Sequence, residues 1–487
     1  MRKNFITNIG FLLLLNLLVK PFWILGIDRS VQNVIGPDAY GTYFALFNFA
    51  YLFQVILDFG INNYNNRIIA GQPEKLGGVL VSTLALKLVL SVVYTILVFV
   101  TAFGIHFSGE QLELLWLLIL MQILMSFYAF LRSNVNALHL FKTDAVLSVL
   151  DKLLTSLICG IILWTTLLPF SISAEVFVYA QIIGYALSLF VAIAILGAQK
   201  MQIRFKIDKT LMYTVFRQSY PYALLGFLMT AYYRTDGVLL ERLLGDEGAF
   251  EAGIYASAFR LLDALSIIGF LFAGLLMPMF SRLFANKEPI QPLLELGYKL
   301  MLVISVCVGV TTIFYRNEIM QLLYATGGAY SADILGWLMV SFIGISLTYI
   351  YGSLLTAGGR IRLLNKISLA GFLLNLILNL ILIPEYKALG SAVATVFSQL
   401  LVLIAHVYLA GKQFSLPGTL KQGFQAVLFI TVVTGVNLLL SLLPVNWIIR
   451  YVLSGLISIT AVFPSGVIRF GEIRPFIAGF RQALLKK

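Results

Sequence analysis

The chain has 487 residues, of which 60% are hydrophobic and 11% are charged, whereas average soluble proteins carry about 25% charged residues. This composition excludes a soluble globular protein and indicates a polytopic membrane protein. A net charge of +12 suggests nucleic-acid binding in a soluble domain, but here the loop distribution of the charge explains it without a nucleic-acid partner. Cys159 and Cys307 lie within apolar segments, so we interpret them as core residues rather than a disulfide or metal site.

The apolar segments predict an all-α integral membrane protein with about fourteen transmembrane helices of about 20 residues each. The first segment contains Asn16, Lys20 and Pro21 and lacks a cleavage signal, so we interpret it as a retained span rather than a signal peptide. The predicted spans cover residues 5–27, 39–59, 77–104, 112–138, 145–168, 174–198, 218–244, 252–280, 293–314, 333–356, 364–384, 388–410, 423–443 and 447–468.

Lysines and arginines are unevenly distributed between alternate loops, with 25 on one side and 5 on the other. The positive-inside rule therefore predicts a multi-pass membrane protein with both termini in the cytoplasm. Residues 199–218 and 472–487 mix basic and apolar side chains at helical spacing. These two segments predict amphipathic helices on the inner leaflet, where the surplus charge binds anionic membrane lipids.

An internal repeat is visible at an offset of about 210 to 220 residues. The segment Ile35–Ala45 resembles residues 244–258, and Arg67–Ala70 resembles Arg282–Ala285. Each repeat contains six predicted spans, and an even number gives both repeats the same orientation. The repeat predicts two six-helix lobes around a central cavity. The predicted divisions are an N-lobe (1–198), a cytoplasmic linker (199–217), a C-lobe (218–411) and two C-terminal spans with a basic tail (412–487).

Charged residues occur inside the predicted spans, where each would cost about 2.5 to 3.5 kcal/mol if it faced lipid. The clear internal anions are Asp236 and Asp263. The internal cations are Lys20, Lys87, Arg234 and Arg260. The two arginines lie about ten residues before and about seven after the short acidic turn at residues 245–248, so helical rise places them in one layer.

Two interpretations of these charges remain open. In the first, the two arginines pair with the two aspartates to hold helices together, which leaves Lys20 and Lys87 unexplained. In the second, Lys20, Arg234 and Arg260 line a wet cavity and bind a phosphate or pyrophosphate. Lys87 is the weakest member of that set, since a long side chain can also reach toward an interface.

Three amide side chains add hydrogen-bonding groups to the same spans. Asn16 shares a helix face with Lys20, and Asn48 and Gln54 lie in the second span. Asn48 and Gln54 suit sugar hydroxyls, although bonding between helices is the more frequent use of each amide. Asp236 and Asp263 are candidates for charge pairing, and the family resemblance given below also makes them candidates for coupling to an ion, either Na⁺ or H⁺.

Residues for catalysis are scarce. The three histidines, His106, His139 and His406, lie in different loops and spans. This distribution disfavours a histidine-based metal site or a Ser-His catalytic pair. The sequence therefore predicts a transporter without catalytic residues, bound metal or cofactor. A membrane enzyme, such as a polymerase or an acyltransferase, is the more remote alternative.

Two motifs carry a family resemblance. The run Tyr233–Leu240, followed by residues 244–245 and 253–256, resembles the seventh-to-eighth span pattern of bacterial polysaccharide-transporter flippases. The run Leu354–Arg360, continued through Asn375, Asn379 and residues 383–395, resembles the signature of spans 10 to 12, with Lys387 where a glycine is usual. The resemblance covers essentially the whole chain. The superfamily also holds the lipid II flippase and the multidrug and toxin extruders.

The resemblance implies two six-helix lobes in a V, with spans 1, 2, 7 and 8 lining the cavity, and alternating access driven by an ion gradient or the membrane potential. It implies a flippase for undecaprenyl-pyrophosphate-linked oligosaccharide, such as a capsule unit or the O-antigen of lipopolysaccharide. We expect a monomer that works beside other polysaccharide-assembly proteins. A lipid II flippase and a multidrug extruder are the alternatives, and the cationic excess argues against the extruder, for which an acidic cavity is expected.

Overall fold

The structure is a computed structural model that describes residues 2–62, 65, 69, 76–167, 169–199, 209–416 and 419–467. Every regular element in those ranges is helical, which confirms the predicted all-α class. The predicted basic tail and most of the predicted linker, residues 472–487 and 200–208, lie outside the described residues.

Within those ranges the chain forms fifteen α-helices. They are α1 (Arg2–Phe22), α2 (Arg29–Leu52), α3 (Gln54–Asp58), α4 (Leu76–Gly104), α5 (Gly109–Ala137), α6 (Phe141–Trp164), α7 (Ala174–Gly197), α8 (Lys209–Leu243), α9 (Gly248–Asn286), α10 (Gln291–Phe314), α11 (Arg316–Leu323), α12 (Ala329–Ala357), α13 (Ile361–Phe414), α14 (Thr419–Ser441) and α15 (Trp447–Thr460). A π-helical turn, Trp23–Asp28, joins α1 to α2, and a 3₁₀ turn, Gly245–Glu247, joins α8 to α9.

Ten helical segments of the described chain are long and apolar enough to cross a membrane. Two of them hold a non-helical residue where the sequence predicts a junction between spans: Gly36 in α2 (φ 82°) and Lys387 in α13 (φ 51°). Glycine adopts a positive φ readily, and the fixed φ of Pro37 suits the turn that restarts the helix. The ten segments do not include α8, which lies at predicted span 7, or the 14-residue α15, which lies at predicted span 14. The total of fourteen spans therefore stays a prediction.

The helices turn apolar side chains outward as well as inward. On α4, Leu88, Val92 and Ile96 are exposed and repeat every four residues, whereas Tyr94 and Val98 on the other side are fully buried. A helix that is apolar all round belongs in a membrane or a protein core. The exposed row on α4 is therefore a lipid-facing surface.

The chain divides into two compact units. Unit 1 comprises Met1–Ala264 with Ser368–Ser391, and unit 2 comprises Leu265–Ile367 with Ala392–Lys487. In unit 1, α1 packs on α6, α5 packs on α7, and α2 packs on α8. In unit 2, α10 packs on α12 and also contacts α14 and α15. The lobe boundaries derived from the sequence repeat stay predictions.

Candidate functional site

The candidate site lies in unit 1, where the π-helical turn, α2, α8 and the first part of α9 meet. Arg260 Nε lies 2.7 Å from Asp28 Oδ2. The Tyr40 hydroxyl donates to the same carboxylate oxygen at 2.7 Å and accepts from Arg260 Nε at 3.0 Å. Asp28 is the last residue of the π-helical turn, a helix form that occurs frequently at functional sites. This closed triangle fixes one edge of the Arg260 guanidinium.

A second carboxylate is shared between two arginines. Asp263 Oδ2 lies 3.6 Å from Arg234 Nη1 and 3.7 Å from Arg260 Nη1. Arg234 Nη1 also donates to Asn48 Oδ1 at 3.4 Å. We name this group the arginine cluster, and its members are Asp28, Tyr40, Asn48, Arg234, Arg260 and Asp263. The sequence predicted that the two arginines share one layer, and their contacts with a common carboxylate confirm it.

Aromatic rings hold the guanidinium groups in place. The Arg234 guanidinium carbon lies 5.1 Å from the centre of the Tyr51 ring and 5.9 Å from that of Phe259. The Arg260 guanidinium carbon lies 5.6 Å from the centre of the Phe44 ring. A cation over a ring face is attracted by the ring quadrupole. These rings therefore orient both arginines without occupying their N–H donors.

Several N–H groups of the two arginines make no hydrogen bond to the residues that the structure describes. An arginine carries five N–H groups in a rigid fork. Within the described part of the chain, Arg234 Nε and Nη2 and Arg260 Nη2 make no hydrogen bond to protein. The side chains of Arg234 and Asp263 are 19% and 26% exposed, so the cluster reaches open space. Such a pair of forks suits a ligand with several anionic oxygens, as phosphate has.

The structure corrects the count of internal anions. The sequence identified Asp236 and Asp263, which left two cations without a counter-charge. Asp28 pairs with Arg260, and Asp58 Oδ1 lies 4.0 Å from Lys87 Nζ. Asp28 was missed because the predicted first span ends at residue 27, whereas the π-helical turn continues the helix and carries Asp28 inward. With both its aspartates ionised, the arginine cluster has no net charge.

Asp236 is two residues from Arg234 in sequence, and its hydrogen bonds go to residues outside the arginine cluster. Its side chain is buried and accepts hydrogen bonds of 2.8 Å from the Tyr255 hydroxyl and from Asn379 Nδ2. Residues two apart on a helix point in different directions, as the sequence analysis expected. Asn379 was not assigned to the site from the sequence, because its contact with Asp236 spans 143 residues.

The structure does not join Lys20 to the arginine cluster. The charged groups that act on Lys20 include Arg132 and Asp151, and none of the described carboxylates lies within 4.0 Å of it. Asn16 Nδ2 donates to Ser148 Oγ at 2.9 Å, which is a contact between α1 and α6. A substrate role for Lys20 and Asn16 stays a prediction.

Lys87 is fully buried in α4. Its Nζ donates to the Leu57 carbonyl oxygen at 2.7 Å and to Ser126 Oγ at 2.8 Å. It therefore satisfies a carbonyl at the end of α3, where an intrahelical partner is missing. Substrate binding by Lys87 stays a prediction.

The sequence matches a known protein family. The family described as "Polysaccharide biosynthesis protein" matches residues 5–284. The capsular polysaccharide biosynthesis protein CapF of Staphylococcus aureus is 26% identical over 186 residues, which are 36% of this chain and 44% of CapF. The match thus spans less than half of that relative.

Comparison with solved structures gives the fold. A lipid II flippase MurJ in an inward closed conformation superposes with a TM-score of 0.66 and 16% identity, over 93% of this chain and 99% of that one. An inward-facing multidrug resistance transporter of the MATE family and MOP superfamily superposes with a TM-score of 0.64 and 14% identity, over 83% and 94% of the two chains. The chain therefore has the fold that these two proteins share.

Proposed function

The chain belongs to the polysaccharide biosynthesis protein family, and from this premise we propose that it is a flippase for lipid-linked glycans of the bacterial inner membrane. The cargo is an oligosaccharide joined to undecaprenyl pyrophosphate, such as an O-antigen or capsule unit. It moves from the cytoplasmic to the outer leaflet by alternating access. The family and the capsular relative support a role in polysaccharide biosynthesis, and the fold shared with a flippase and a multidrug resistance transporter supports transport rather than catalysis.

The observation that carries this proposal is that the two aspartates of the cluster contact the arginines at different distances. Asp28 contacts Arg260 at 2.7 Å and is a fixed partner. Asp263 lies 3.6 and 3.7 Å from the two guanidinium groups, beyond ordinary hydrogen-bond distance, and is a replaceable one. A pyrophosphate offers stronger, bidentate acceptors than this carboxylate. It displaces Asp263 and takes up the N–H donors of Arg234 and Arg260 that make no hydrogen bond within the described ranges.

A carboxylate for ion coupling also follows from the geometry. The charge of Asp263 is neutralised by two arginines, so a coupling cation gains little there. Asp236 is buried and accepts hydrogen bonds from the hydroxyl of Tyr255 and the amide of Asn379. Because the two arginines already compensate Asp263, we propose Asp236, the other carboxylate identified from the sequence, as the group that takes up the coupling Na⁺ or H⁺.

The test measures lipid-linked oligosaccharide on the cytoplasmic face of cells that carry Arg234→Ala, Arg260→Ala or Lys20→Ala. Loss of a charge-assisted hydrogen bond predicts a fall in export of about 10-fold or more for the two arginine variants. Arg316→Ala is the control, because Arg316 pairs with the exposed Asp333 within unit 2. Normal export by all three variants, at normal expression, would mean that the charges serve only as structural pairs.

Mass spectrometry of the accumulated lipid identifies the cargo. Polyprenyl pyrophosphate bearing an O-antigen or capsule unit is the expected result. Accumulation of lipid II would instead assign the protein to peptidoglycan export. Accumulation of neither lipid, with normal export of both, would contradict the proposed function.

A further inference from the structure

A polar cavity of about 280 Å³ lies in unit 1, outside the arginine cluster. Its walls come from α3 and the residues after it, from α5 and from α8. The polar side chains that line it are Gln54, Asp58, Asn62, Ser126 and Thr230. We propose that this cavity binds the first sugar of the lipid-linked glycan while the arginine cluster holds the pyrophosphate. The inference rests on the proposed function and assigns a binding site to the uncharged sugar of the lipid-linked glycan.

The cavity begins one helical turn from the arginine cluster. Thr230 precedes Arg234 by four residues on α8, so the two side chains share a face about 5 to 6 Å apart. On the opposite wall, Gln54 follows Tyr51 by three residues, and the Tyr51 ring lies under the Arg234 guanidinium. The ring of a sugar joined through its anomeric carbon to a pyrophosphate lies at a similar distance, about 5 Å, from the phosphorus. One cargo molecule therefore spans both sites.

Polar atoms of the cavity wall retain unused hydrogen-bonding capacity. Among the residues that the structure describes, the Thr230 hydroxyl has no hydrogen-bond partner. The Gln54 Nε2 group donates a long hydrogen bond, 4.0 Å, to the sulfur of Met125. The Oδ1 atom of Asn62 is buried without a hydrogen-bond partner. Buried polar groups are almost always paired, so such atoms call for a ligand or water. Sugar hydroxyls both donate and accept, and they suit this mixture of amide, hydroxyl and carboxylate groups.

The charge of the cavity floor selects a neutral ligand. The Asp58 side chain is 33% exposed, and its Oδ1 lies 4.0 Å from Lys87 Nζ. The same oxygen accepts the backbone N–H of Asn62 at 3.3 Å. The ammonium group of Lys87 compensates the Asp58 carboxylate. A bound cation would therefore be repelled by Lys87, and a bound anion would be repelled by Asp58. An uncharged, hydroxyl-rich group meets neither penalty.

One wall of the cavity supplies an aromatic ring. Phe59 lines it, and its ring stacks on that of Phe216 with a centroid separation of 4.3 Å and an interplanar angle of 7°. Phe59 has a φ of 45°, a conformation that side-chain-bearing residues rarely adopt. Unusual backbone conformations of this kind cluster at functional sites. Ligand pockets commonly combine such an apolar surface with a few placed polar groups.

The test compares two soluble probes on the purified full chain in nanodiscs, with dissociation constants measured by titration calorimetry. The first probe is farnesyl diphosphate. The second is farnesyl diphosphate that carries one sugar, either N-acetylglucosamine or galactose. The variants are Thr230→Val and Gln54→Ala, because neither side chain holds a described structural bond to an oxygen or nitrogen atom. Thr431→Val, which alters a hydroxyl on the exposed side of α14, is the matched control.

Binding of the glycosylated probe should weaken about 3- to 10-fold in Thr230→Val and Gln54→Ala, as expected for one lost hydrogen bond. Binding of farnesyl diphosphate should stay unchanged in both variants and fall in Arg234→Ala. Equal effects on the two probes, or no effect on either, would overturn the sugar site while Arg234→Ala still tests the pyrophosphate site. Failure of the unaltered protein to bind either probe would overturn the proposed function, and the sugar site with it.

Discussion

Arg260 Nε and Asp28 Oδ2 meet at 2.7 Å, although the sequence places the aspartate next to the first predicted span and the arginine in the eighth. The two side chains are 12% and 3% exposed, and Tyr40 hydrogen-bonds to both. In a buried pair, removal of one partner leaves an uncompensated charge in a poorly solvated place. This contact therefore fixes the π-helical turn against α9.

Asp28→Asn should lower the free energy of unfolding by about 2 to 3 kcal/mol, because Asp263, at 3.7 Å, compensates Arg260 only in part. The control is Asp333→Asn, which breaks an exposed pair with Arg316 and should cost less than about 1 kcal/mol. Denaturant titration of the purified variants measures both values. Equal losses in the two variants would contradict a special role for the buried pair.

Lys87→Met should destabilise the protein by about 2 to 4 kcal/mol, because it leaves the Leu57 carbonyl and Asp58 without the ammonium group. Adding Asp58→Asn should recover about 1 kcal/mol by removing the uncompensated carboxylate. The affinity for farnesyl diphosphate should change less than about twofold. A large loss of that affinity at unchanged stability would instead make Lys87 a substrate residue.

Sequence reasoning located the arginine layer because helical geometry alone determines it. The turn at Gly245–Glu247 is too short to separate α8 from α9, so residues at similar distances from it lie at one depth. The junctions near Gly36 and Lys387 were also predictable, since a break in apolar character accompanies each. Depth in a helical membrane protein follows from residue counting.

The partners within that layer were harder to predict, because they depend on which way each helix faces. Lys20 and Asp28 are eight residues apart, and a regular helix turns about 80° further over that distance. The π-helical turn between them changes this rotation again. Periodicity assumes 3.6 residues per turn throughout, so it could neither bring Asp28 inward nor separate Lys20 from the arginine cluster.

Gly253→Ala should disturb the packing of α9 on α2. A Cβ atom at Gly253 would lie 2.0 Å from the Pro37 carbonyl oxygen, and one at Gly41 would lie 1.8 Å from that of Ala249. Both oxygens belong to the backbone and cannot rotate away. We therefore expect Gly253→Ala to lower the free energy of unfolding by about 1 to 3 kcal/mol. Gly274→Ala on the same helix meets open space and should not destabilise. Thermal unfolding of the two variants makes the comparison, and equal melting temperatures would contradict the tight contact.

Asp236→Asn should abolish the response of transport to an ion gradient. The substitution keeps the size of the side chain and its bond from Tyr255, but it removes the charge that a coupling Na⁺ or H⁺ would neutralise. The measurement is the flipping rate of a fluorescent lipid-linked sugar in proteoliposomes, with and without an imposed gradient of either ion. Asp263→Asn is the comparison and should keep the gradient response. A response lost in Asp263→Asn and kept in Asp236→Asn would reverse the assignment.

Lys387→Gly should stabilise the protein, although it removes an ion pair. Lys387 has φ 51° and ψ −133°, a combination that glycine adopts far more readily than other residues, and glycine is the usual residue here in the family the sequence resembles. The Lys387 Nζ lies 2.5 Å from Glu247 Oε2, with Glu251 Oε1 further away at 4.0 Å. The side chains of Lys387 and Glu247 are 44% and 63% exposed, so water screens the shorter pair. Relief of the backbone should therefore outweigh the lost contact and raise the melting temperature by about 1 to 2 °C. Lys387→Ala removes the ion pair but keeps the strained backbone, and it should lower the melting temperature. If both variants melt below the unaltered protein by the same amount, the ion pair outweighs the backbone strain.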